Sequence, residues 1–211
     1  MSIVDAPLLV VACVGAAFLP GTRESYEMAA TTFLKATGQK VVISVLRNLT
    51  VLPPLGLGAM RNFAILQSLL ELKPRFVMLI DNDVLFDDPE ILLKLTSHNQ
   101  EFVTPWFDQS PIGKRHRLHA PMLDKGQGLL EIKWTVPYCV LWRVTALNRL
   151  GPQFYTETMI YNEDEFNCLR FRFNGVKIMQ DTNSHVTLLR PPGLLADTLG
   201  KLRVLLPGEN P

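Results

Sequence analysis

Cysteine is scarce in this sequence: three residues, Cys13, Cys139 and Cys168, lie far apart in a chain of 211, and no CxxC pair occurs. An odd, scattered set offers neither a disulfide framework nor a thiolate zinc site, and reduced thiols in a cytoplasmic protein are the expectation. Charge of one sign is lacking too. Twenty-one Lys and Arg against twenty Asp and Glu leave a net charge of +1, so no overall field favours nucleic acid or an anionic membrane, and binding must be local. No apolar run is long enough to span a bilayer. The early run from Pro7 to Pro20 is too short for that, and it is preceded by Asp5 rather than by Lys or Arg, unlike a signal peptide. There is no internal repeat and no low-complexity tract. Gly56-Leu57-Gly58 lacks the rest of a phosphate-loop pattern and reads as a turn.

What is present is an ordinary globular composition, 47% hydrophobic, at a length that suits one α/β domain. Short Val-rich runs without polar alternation read as buried strands: Leu8 to Val14, Val41 to Leu46 and Phe76 to Ile80. Between them the spacing predicts helices over Thr22 to Thr37, stopped by Gly38, and over Ala59 to Leu72, broken by Pro74. A further helix is expected from Pro89, capped by Asp87 or Asp88. Later strands are predicted at Glu101 to Thr104, Thr135 to Trp142 and Val176 to Met179, and helices at Thr145 to Leu150 and Glu163 to Phe173. Asp108 to Lys133 reads as irregular. Alternating strand and helix predicts a mostly parallel sheet with helices on both faces and ligands at the strands' C-terminal ends.

Two acidic motifs stand out against this frame. Asp81-Asn82-Asp83 follows the third buried strand directly. Carboxylates at alternate positions where a strand empties into solvent suit a hard cation such as Mg²⁺ or Mn²⁺, bound together with substrate phosphates. The plain alternative is a polar turn. About 80 residues later Asn162-Glu163-Asp164-Glu165 opens a helix. A carboxylate there can serve as a general base toward an acceptor hydroxyl, or it can be ordinary first-turn capping chemistry.

Taken together, these segments resemble the family-2 inverting glycosyltransferases of GT-A fold. Residues 58–95 resemble that family's first signature: Arg61-Asn62 opening a helix, the hydrophobic strand Phe76 to Ile80, the DXD-type triplet, and Pro89 before a helix. Residues 163–175 resemble the second, an acidic pair opening an amphipathic helix that ends near Gly175. The strand and helix from Tyr138 to Leu150, followed by Gly151, resemble the family's intervening segment. The resemblance covers roughly residues 8 to 188 and is strong around the two acidic motifs.

The resemblance implies a metal-dependent transfer of a sugar from a nucleotide-sugar donor, a UDP- or GDP-sugar, to the hydroxyl of a glycan, lipid or other acceptor. It implies that Asp83 ligates Mn²⁺ or Mg²⁺, that Asp81 contacts the donor ribose or the metal's water shell, and that Asp164 is the base with Glu163 supporting it. Arg61 and Asn62 would lie near the donor, or Arg61 would make a helix-face salt bridge. Cys13 and Arg47, at the exits of the first two strands, fall where the family binds the donor, although Cys13 to Ala17 and Arg47 to Thr50 depart from its usual residues. His185 stands where many metal-dependent GT-A enzymes present a further ligand; a surface or partly buried His is the alternative. The basic run Gly113 to His119 is either a solvated loop or a contact for the pyrophosphate or an anionic acceptor. Trp106 and Trp134 are candidates to stack on a sugar, and Trp142 is expected in the core. Residues 1–190 form the domain in this reading. Residues 191–211 form an amphipathic extension packed on it, with a homodimer contact or peripheral membrane contact as alternatives. A haloacid-dehalogenase-like phosphatase and a non-catalytic nucleotide-sugar binder are the competing functions. In the former the acidic strand usually comes first, whereas here 75 residues precede it.

Overall fold

Buried strands and amphipathic helices alternate through the first hundred residues, and that pattern sets the architecture of the computed structural model. It describes residues 8–14, 18–46, 57–107, 123–136, 138–151, 163–189, 194–196 and 202–204. The order is β1 (Leu9–Val14), α1 (Thr22–Thr37), β2 (Val41–Leu46), α2 (Leu57–Leu72), β3 (Phe76–Asp81), β4 (Val84–Phe86), α3 (Ile91–Ser97), β5 (Phe102–Phe107) and β6 (Leu129–Ile132). It continues with β7 (Cys139–Arg143), α4 (Val144–Leu150), α5 (Glu163–Phe173), β8 (Ile178–Leu188), β9 (Leu194–Ala196) and β10 (Leu202–Val204). The first eight strands form one sheet in the order β2-β1-β3-β7-β5-β8-β4, with β6 also on β8. β9 and β10, the described part of the C-terminal extension, pair with each other.

The class is α/β, as the alternation predicts. The sheet joins parallel and antiparallel pairs, within the expectation of a mixed, mostly parallel sheet. β2-β1-β3 and β5-β8 are parallel, whereas β3-β7, β7-β5, β4-β8 and β6-β8 are antiparallel. β7 runs backward between β3 and β5, so the sheet is mixed.

Strand alternation divides the core in two. Leu9, Val11 and Cys13 of β1 and Phe76, Met78 and Ile80 of β3 pack with Tyr26, Ala29 and Phe33 of α1 and Ile91, Leu92 and Leu95 of α3. Ala12, Val14, Val77 and Leu79 face the opposite way, onto Ala64 and Ile65 of α2, Ala146 and Leu147 of α4, and Cys168 and Phe171 of α5. Helices cover both faces, and this is why β1 and β3 read as unbroken apolar runs.

Several boundaries differ from the sequence reading. α3 begins at Ile91 rather than Pro89; Asp88 accepts the Glu90 amide at 2.8 Å and closes a turn ahead of the helix. The strand expected over Thr135 to Trp142 is confined to Cys139–Arg143. Three-residue β4 and the short β6 carry no pattern long enough to notice. The strand expected over Val176 to Met179 is β8, 11 residues long, because it continues through Gln180 to Leu188.

Candidate active site

Alternation along β3 decides where the first acidic motif points. Val77 and Leu79 face α2 and α5, and Asp81, two residues on, faces the same way. It meets Arg61 of α2. The Arg61 Nη2 lies 3.0 Å from Asp81 Oδ2 and 3.3 Å from Oδ1. Nη1 of the same guanidinium lies 3.3 Å from Oδ1 of Asp164, in the first turn of α5. Arg61 is 2% exposed. A guanidinium taken out of water needs opposite charge and hydrogen bonds to offset its lost solvation, and here Asp81 and Asp164, one from each acidic motif, supply both. Burial pushes the Asp81 carboxyl up from its ordinary value, and the charge and hydrogen bonds of Arg61 act against that push. Arg61 is thus no helix-face salt bridge but a buried link between the motifs. Asn62 lies half-buried beside it on α2.

Asn82 and Asp83 form the turn between β3 and β4, and its backbone is tied down from several sides. The Asp81 amide donates to Tyr138 O at 3.0 Å, and the Asn82 amide to Val14 O at 3.0 Å. Leu19 and Leu189 donate their amides to the carbonyls of Asn82, at 3.3 Å, and Asp83, at 2.6 Å. From α1, the hydroxyl of Tyr26, a residue with no exposed surface, donates its one proton to Val84 O at 2.5 Å, with Asp81 O sharing it at 3.1 Å. Tyr26 is packed between Phe18 and Phe86, with ring centroids 5.9 and 4.9 Å away. Its spacing on the helix marked it as core; nothing in the sequence marked its hydroxyl as a tie for the acidic turn.

The other expected site residues divide. Cys13 is fully buried in the α1 side of the core, and burial, then the charges of Asp81 and Asp83, push its thiol up to about 12. The thiol packs in that core with no exposed surface. His185 lies on β8, half-buried, with Nε2 3.0 Å from Thr182 O and its ring edge-on to Trp106 at 5.5 Å. Among the described residues no three His, Cys, Asp or Glu side chains gather into a metal-holding group. The structure therefore does not bring His185 together with Asp81 and Asp83 as a preformed set of three. Trp106 donates Nε1 to Leu123 O at 2.8 Å, and Lys125 lies 4.4 Å from its ring centroid. Trp134 is half-buried against both core clusters. Trp142 is core, stacked with Phe102 and Phe171. Glu163 opens α5, but its side chain, Arg47 and the basic run 113–119 lie outside the described residues.

The donor set suits a hard cation whose coordination is completed by substrate oxygens, since Mg²⁺ is commonly held through one or two carboxylates plus phosphates. Both oxygens of Asp81 lie within 3.3 Å of Arg61 Nη2.

A second polar cluster escaped the sequence reading. Asp181 on β8, 2% exposed, accepts from Ser184 Oγ at 2.6 Å and from the Asn183 amide at 3.0 Å, and it lies 2.9 Å from His98 Nε2. Burial alone would raise this carboxyl; the hydrogen bonds from Ser184, His98 and Asn183 outweigh burial and hold it below its ordinary value. The cluster braces an irregularity in which β8 pairs with β5 at Pro105–Asp181 and resumes at Trp106–His185.

No described helix is long and apolar enough to cross a membrane. Neither a family profile nor a curated protein matches the sequence. Among solved structures, the protein described as A197 from STIV is similar over 93% of both chains, with a TM-score of 0.53 and 11% identity. At that identity the likeness extends to the fold alone.

Proposed function

We propose that this chain is a metal-dependent glycosyltransferase of GT-A type that transfers a sugar, with inversion, from a nucleotide-sugar donor to an acceptor hydroxyl. The observation that carries this reading is the Arg61 link between Asp81 and Asp164. Sugar transfer needs one acidic group beside the leaving diphosphate and another beside the attacking hydroxyl, and these two motifs meet at one guanidinium. In this reading Asp83 holds Mn²⁺ or Mg²⁺ directly, and Asp81 contacts the donor ribose or the metal's water shell. The cation supplies charge neutralisation to the diphosphate. Asp164 takes the proton of the acceptor hydroxyl as its oxygen bonds to the anomeric carbon and the bond from that carbon to the diphosphate oxygen breaks. Attack on the face opposite the leaving group inverts the configuration. Arg61 fixes the Asp164 carboxylate in place.

The test is turnover of a panel of UDP- and GDP-sugars with Mn²⁺. Release of nucleoside diphosphate is expected to vanish with chelator, and to fall about 100-fold or more in Asp83→Ala and in Asp164→Asn. Undiminished, metal-independent turnover in Asp83→Ala removes the mechanism. Product with retained anomeric configuration by NMR strips Asp164 of the base role.

A further inference from the structure

We infer that Tyr26 is a positioning residue for the metal site: its hydroxyl fixes the turn that presents Asp83 to the cation. The inference rests on the proposed glycosyltransferase reading and deepens it. The geometry is specific to the hydroxyl. Asp81 is the last residue of β3 and Val84 the first of β4, and the one phenol proton is shared between the carbonyls at both ends of the two-residue turn between them, 2.5 Å from Val84 O and 3.1 Å from Asp81 O to the phenol oxygen. Any widening of the turn must stretch one of these bonds. The ring cannot retreat, because Phe18 lies against one side and Phe86, on β4, against the other. The neighbouring Ser25 Oγ accepts the Phe86 amide at 3.2 Å, so α1 holds β4 at a second point.

Backbone hydrogen bonds from Leu19 and Leu189 and to Tyr138 and Val14 also hold this turn; Tyr26 adds a side-chain tie at its two ends. Groups that orient a ligand from outside the coordination sphere typically change metal affinity by about 10–100-fold when removed. Tyr26 acts on the backbone of the triplet rather than on its carboxylates, so the effect belongs to cation binding and should fade when the cation saturates the site.

The experiment measures Mn²⁺ binding by electron paramagnetic resonance, with UDP and with GDP, in the intact chain and in Tyr26→Phe. The expected result is that Tyr26→Phe raises the Mn²⁺ dissociation constant about tenfold or more, and that nucleotide-sugar turnover recovers when Mn²⁺ is raised in proportion. Equal Mn²⁺ affinity in the two proteins overturns the inference while leaving the glycosyltransferase reading intact. Failure of the unsubstituted chain to bind Mn²⁺ with either nucleotide overturns that reading and the inference with it. If Tyr26→Phe does not fold, 4-aminophenylalanine and 4-methylphenylalanine at this position give the comparison in rings of similar size, one with a donor and one without. The amino variant must bind Mn²⁺ as the native residue does, and weak binding by it counts against the inference.

Discussion

Arg61 concentrates the electrostatics of the site in one side chain. It is the single charged group on α2 among the residues whose side chains are described, apart from Glu71, and it is buried against Asp81 and Asp164. Removing one partner of a buried pair is costly because the other charge is left in a poor solvent. Arg61→Met is therefore expected to destabilise the fold by about 3 kcal/mol, read from the urea midpoint. Adding Asp81→Asn should recover part of that loss, since the amide needs no counter-charge. Strict additivity of the two substitutions would count against the pairing. Asp181 gives the fold an acid limit. Its carboxyl sits below the ordinary 3.8 in the folded chain, so the unfolded chain binds the proton more readily. The stabilisation is complete above the ordinary value and is lost as pH falls below it, through the lowered one. Asp181→Asn should differ most from the native protein near neutral pH, and the gap in denaturation free energy should narrow below about pH 4. A gap that widened in acid would contradict the assignment.

At the scale of elements, α1 does two jobs, packing one face of the sheet and anchoring the acidic turn through Ser25 and Tyr26. Its length is set at the C-terminal end by Gly38, which takes φ 69° and donates its amide to Leu34 O at 2.8 Å. A side chain there would meet no neighbour, so the cost of Gly38→Ala is conformational, about 1 kcal/mol, measurable by urea denaturation. A loss near zero would mean that the helix end relaxes. Such elements were legible because their signals are local: α1 and α5 follow helical spacing, and β1, β2 and β3 are apolar runs. β8 was only partly legible. Its residues Gln180, Asp181, Thr182 and Ser184 are polar yet buried, satisfied by bonds to Pro105, Gly128, His98 and the strand's own backbone, and hydropathy cannot anticipate partners that distant. The same reasoning applies to the site. The residue types at Asp81, Asp83 and Asp164 pointed to carboxylate chemistry, but the meeting of two motifs at Arg61 and the hydroxyl tie from Tyr26 are tertiary facts. Strand alternation turns the Cys13 thiol into the core, which its place at a strand exit does not reveal.

On the scale of the whole molecule, the mixed sheet explains why the two motifs converge. β3 occupies the middle of the sheet, beside β7, and α2 and α5 cover the same face. A residue at the C-terminal end of β3 and another in the first turn of α5 are therefore brought to a common buried cation. Ligands of open α/β sheets gather at the C-terminal ends of their strands, and the acidic turn lies at that end of β3, joined to the ends of β1 and β8 through Val14 O and the Leu189 amide. In the proposed function, Asp83 and a diphosphate hold a divalent cation there. Anomalous diffraction at the manganese edge from crystals grown with Mn²⁺ and UDP or GDP tests it most directly. The account expects one peak within ligation distance of an Asp83 carboxylate oxygen and of the nucleotide phosphates. A nucleotide bound with no metal peak at Asp83, or with the metal held elsewhere, would contradict it.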